Sequence, residues 1–122
     1  MPLSNFTRLD ARVFGAGTKM HIGSPTIPMS PELSVAIAGM LEEMPGVLEA
    51  HLPQCYAPGV IDPPAQVLMI VLSRSGQEVM FASEVRRRLL SILPKGVPLE
   101  FMFLHRSSPE LESVRRANCR IR

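Results

Sequence analysis

At 122 residues the chain is long enough for one domain with a substantial core and short for two. Thirteen Lys and Arg against 11 Asp and Glu leave a net charge of +2, too balanced to point to nucleic acid. Two cysteines make no disulfide framework and read as free thiols of a reducing, cytoplasmic compartment; the longest apolar run, 67–72, is too short to span a bilayer.

Residues 1–16 have no clear period and read as an N-terminal arm, with Phe6, Leu9, Val13 and Phe14 as its apolar anchors. No apolar segment follows a basic start, so no signal peptide is expected. From 17 onward the pattern is that of one domain. Lys19 to Ile22 reads as a short strand closed by Gly23-Ser24-Pro25. Ser30 then suits an N-cap, Pro31 the first helical position and Glu32 the positive end of the helix dipole. Leu33, Ile37, Met40, Leu41 and Met44 make one apolar stripe, and Pro45-Gly46 stops the helix.

Residues 47–56 alternate as a strand, with Leu48, Ala50 and Leu52 on the dry face and Glu49 and His51 on a wet one. The segment 53–64 is rich in proline and is expected to be a rigid loop, either a plain connector packed on the body or a recognition surface displaying Tyr56, Val60 and Ile61. The run Val67 to Leu72 predicts a central strand covered on both faces. A helix follows to Leu93, with Phe81, Val85, Leu89, Ile92 and Leu93 facing inward. The last strand, 99–104, turns Leu99, Phe101 and Phe103 to one face and Met102 and Leu104 to the other. Ser108-Pro109-Glu110-Leu111 repeats the start of the first helix and predicts a short C-terminal helix. The expected fold is α+β: a mixed sheet of about four strands, two main helices on one face, and a short C-terminal helix. The second face then needs cover from the arm, the C-terminal helix or another subunit.

Three stretches carry a family likeness: Gly17-Thr18-Lys19 through Ile22-Gly23-Ser24-Pro25, then Pro45-Gly46-Val47-Leu48-Glu49-Ala50-His51-Leu52, then Leu93-Pro94-Lys95-Gly96-Val97-Pro98-Leu99-Glu100. Over about 17–105 the chain resembles the C-terminal domain of the enhanced serine sensitivity protein (SseB) family of bacteria. That resemblance implies a domain without established catalytic residues, in a family whose members usually carry a second, N-terminal domain.

The chain has no GxGxxG, P-loop, CxxC or HExxH, and no cofactor is expected. His51 and Cys55 stand four residues apart, about 13 Å along an extended strand, too far for a nucleophile–base pair. His21, His51 and His105 fall on or at the ends of three strands with no ligand spacing, so no metal is expected. Arg86, Arg87 and Arg88 lie opposite the apolar stripe, as a solvated face or as a binding patch for an acidic protein or phosphate. With Tyr56, Val60 and Ile61 they form the candidate binding set. The resulting expectation is a non-catalytic protein-interaction or regulatory module, an adaptor or immunity-type protein, acting on a protein partner or as a homo-oligomer. The alternative is a small enzyme or a metabolite or metal sensor built on the His-bearing strands.

Overall fold

The computed structural model describes residues 20–74, 76–97 and 99–122; the proposed arm lies outside them. The elements are β1 (His21–Gly23), α1 (Pro31–Glu42), β2 (Val47–His51), β3 (Gln54–Ala57), β4 (Ile61–Leu72), α2 (Glu78–Ile92), β5 (Glu100–His105) and α3 (Leu111–Arg116). They form an α+β fold on a five-stranded mixed sheet.

The sheet is organised around β4. Its second half pairs antiparallel with β2 on one side and parallel with β5 on the other. Its first half pairs antiparallel with β3, which carries β1 on its far edge. The parallel β4–β5 pair needs a crossover, and α2 supplies it. Leu68, Ile70 and Leu72 join Phe101 and Phe103 beneath α1 and α2. Val67, Met69 and Val71 join Met102 and Leu104 on the opposite face, beneath Leu111 and Val114 of α3.

α1 begins as its sequence dictates: Ser30 Oγ accepts a hydrogen bond from Leu33 N at 3.3 Å, with Pro31 at the first position. The start of α3 differs from expectation. Ser108 Oγ accepts instead from His105 N at 2.8 Å, and the helix begins after Glu110. The hydroxyl is spent on closing the turn after β5, so the Ser-Pro-Glu-Leu repeat does not give the same cap twice.

The segment 53–64 is a β-hairpin, not a loop. Pro58 and Gly59 occupy the two central positions of a turn closed by Val60 N donating to Ala57 O at 2.9 Å. Gly59 has φ +77°, the geometry a type II turn demands of its third residue. Pro63 and Pro64 are tolerated because the ladder steps from Cys55↔Ala65 to Ala57↔Ile61, leaving Asp62, Pro63 and Pro64 bulged out of the register. This turns Ile61 into the core at 4% exposure and leaves Val60 half-buried. Ile61 is therefore not displayed for recognition.

A second bulge corrects the reading of 47–52. Val47 pairs with Leu72 and Glu49 with Val71, so Leu48 is an extra residue and is turned outward. Val47 and Ala50 both reach the helix-covered core. Glu49 and His51, expected on a wet face, are buried at 8% and 1% exposure, Glu49 against Arg115 of α3 and His51 beside Arg120 of the tail. The same helix helps to close the second sheet face, so Met102 and Leu104 are buried at 3% and 2% within the single chain.

Ile70 is fully buried, with neighbours on both sides in the sheet. Ile70→Ala is expected to cost about 2–5 kcal/mol in equilibrium denaturation. Gly46 has φ +101°, and an added Cβ would sit 3.2 Å from Phe81 Cζ, so Gly46→Ala is expected to lower the melting midpoint as well.

Candidate functional site

The sequence-predicted binding residues do not converge. Tyr56 is half-buried on β3, its ring centroid 6.0 Å from that of His21. Arg87 and Arg88 both bond Glu84, and Arg88 also reaches Glu43 at 2.7 Å, tying α2 to the end of α1. Arg86 turns the other way, its guanidinium carbon 5.8 Å from the Phe101 ring centroid. The arginine run is thus split: Arg88 reaches the end of α1, Arg87 stays with Glu84 on α2, and Arg86 lies over β5.

The histidines are separated too. His21 lies tilted beside Tyr56, His51 bonds Glu49, and His105 bonds Glu78 at 3.2 Å. Among the described residues no three His, Cys, Asp or Glu side chains are placed to hold a metal ion. Cys55 is buried, and burial pushes its thiol up to about 12, which suits a core filler and not a nucleophile.

The most tightly built polar cluster was not foreseen. Arg115 of α3 donates two hydrogen bonds to the Glu49 carboxylate, one at 3.1 Å, and His51 Nε2 donates a third at 2.9 Å. Arg115 above all holds the Glu49 carboxyl at about 2, below its usual 4.5, against the opposing effect of burial. His51 Nδ1 is buried without a hydrogen-bond partner among the described residues. Residues 119–122 then run along β2: Leu52 N donates to Cys119 O at 3.0 Å and Ile121 N to Ala50 O at 2.8 Å. The cluster fastens α3 and this tail to the sheet. Nothing in the spacing of 49, 51 and 115 marks it.

A broad accessible apolar site lies on the other side, along α2 and β5. A groove of about 480 Å³ has Leu89, Leu99 and Phe101 as its floor. Leu90 and Val97 form its lips at 74% and 40% exposure, and Arg86 and Lys95 supply its charges. Its far wall is a turn in which Val97 N donates to Pro94 O at 3.1 Å, with Gly96 at φ +88°. Val97 and Leu99 also wall an adjoining hollow of about 630 Å³, which takes in Ile27, Met29 and Leu33. A sequence signal for this surface does exist. Arg86 and Leu90 line it four positions apart on α2, and Leu90 is aliphatic and 74% exposed. This outer pair is hidden by the stronger inward stripe.

The Glu49 carboxyl is lower in the folded chain than its usual value, so its contribution to stability is present above about pH 4.5 and is lost as pH falls through about 2. Arg115→Ala is expected to lower stability near neutral pH, by less than the carboxyl's displacement alone implies because the Arg115 side chain is 51% exposed. Urea melts of both proteins between pH 7 and pH 2 should show the gap closing at the acid end.

No family model matches the chain, and comparison with curated proteins and with solved structures gives no match.

Proposed function

We propose that the chain is a non-catalytic protein-interaction or regulatory module of the bacterial cytosol, of adaptor or immunity type. The observation that carries this reading is the groove: aliphatic side chains stand exposed around an open apolar floor, with cations at the rim. Exposed apolar surface rimmed by charge is the usual mark of a partner site. Supporting it, His21, His51 and His105 are engaged in three separate pairings. The likeness to the SseB C-terminal domain belongs to the same proposal and rests on turn motifs. Two of these, Pro45-Gly46 and Pro94-Lys95-Gly96, carry positive-φ glycines between elements.

A photo-crosslinking residue at position 90 or 97, expressed in the native host, tests the reading. Discrete protein adducts are expected at both positions and not at exposed Arg116, whose side chain is on α3 and 75% exposed. Absence of adducts at 90 and 97, with circular dichroism unchanged, would overturn it.

A further inference from the structure

We propose that the segment 111–122 exchanges between two copies of the chain, so that the β2 edge and second sheet face of each copy bind the helix and tail of the other. The site is the one that α3 and the tail occupy in the single chain, so the structure itself displays the ligand. Leu111 and Val114 seat on the apolar face of Val67, Met69 and Val71. Arg115 follows and bonds Glu49. Ser24 Oγ donates to Ala117 O at 2.8 Å. An extended stretch then lies along β2, with Leu52 N donating to Cys119 O at 3.0 Å and Ile121 N to Ala50 O at 2.8 Å. The groove along α2 and β5 takes no part.

The connector 106–110 is built differently. Ser108 N donates to His105 O at 3.0 Å, Ser108 Oγ accepts from His105 N at 2.8 Å, and Leu111 N donates to Ser108 O at 3.1 Å. Among the described residues its hydrogen bonds thus close its own turn and the start of α3. Arg106, Ser107 and Pro109 are exposed. Pro109 has no N–H to give up, and it biases Ser108 toward extended backbone. Straightened, the five residues span about 17 Å, enough to carry the helix and tail off their own body. Straightening gives up turn bonds within 105–111 only. Everything that 111–122 makes with the sheet is made again on the second copy, once in each direction, Arg115 of one copy meeting Glu49 of the other. The closed chain and the exchanged pair therefore differ in the connector and in the entropy of association, and concentration sets the balance between them.

The test uses the full chain in two ways. First, a fluorescein-labelled peptide of residues 107–122 is titrated against the wild-type and Arg115→Glu chains under reducing conditions and read by anisotropy. Arg115→Glu loosens the chain's own segment from Glu49, so that segment competes less with the peptide. The variant chain is expected to bind the peptide about tenfold more tightly than wild type does. A peptide carrying Arg115→Glu should bind neither chain. An Arg115→Glu chain that is folded by circular dichroism and binds the peptide no better than wild type would overturn the exchange. Second, Ser107, Ser108 and Pro109 are removed, leaving a connector too short to turn back onto its own body. Light scattering is then expected to show a folded dimer that persists on dilution. A monomer or an unfolded chain in its place would rule the exchange out, including where Arg115→Glu alone fails to fold.

Discussion

Six consecutive residues of β4, Val67 to Leu72, have almost no contact with water, and the rest of the chain is arranged to satisfy them. A strand that is apolar on both faces needs two covers, and a strand in the middle of a sheet needs two neighbours. The right-handed habit of parallel crossovers gives α2 one face and brings β5 alongside. α1 packs against α2 on that face through its Ile37, Met40 and Leu41 side. What remains is the opposite face, closed in part by a helix of six residues, α3. So short a helix has little intrinsic stability, and its attachment depends on tertiary contacts. Leu111 and Val114 supply apolar area, and Arg115 supplies a directional tie to a carboxylate on β2.

Much of this architecture is legible in the residues. The cap at Ser30, the apolar run of β4, the inward stripe of α2 and the alternation of β5 are local patterns, and they appear where their periodicity places them. The misreadings share a cause: each depends on one residue out of step. Leu48 as an inserted residue changes which neighbours of β2 face the core. The Pro58-Gly59 turn converts a proline-rich segment into a hairpin because two of its prolines fall in a bulge. Alternation alone carries no sign of either bulge, since a one-residue slip reverses every assignment downstream.

The candidate surface was only half legible, for a different reason. Arg86 is visible as part of a basic run, but the direction in which it points depends on the helix phase against β5. Its two neighbours rotate away from it by a helical turn's geometry and bond Glu84. The groove itself is made by residues from α2, the 94–97 turn and β5, whose joint placement is a property of the crossover and not of any one segment. The Glu49–Arg115 pair, whose members stand 66 positions apart, is beyond any local pattern.

The tail at 119–122 has a consequence for how the protein fails. It pairs with the outer edge of β2, while α3 just before it covers the second apolar face. Both covers therefore leave together. A fluctuation that lifts 111–122 bares an unpaired strand edge and the Met69–Met102 surface in the same event. An open edge beside an apolar face is the arrangement that templates intermolecular strand pairing. Opening of this one segment, well short of global unfolding, would expose the edge and the face together, so the contacts of a single helix and tail guard both.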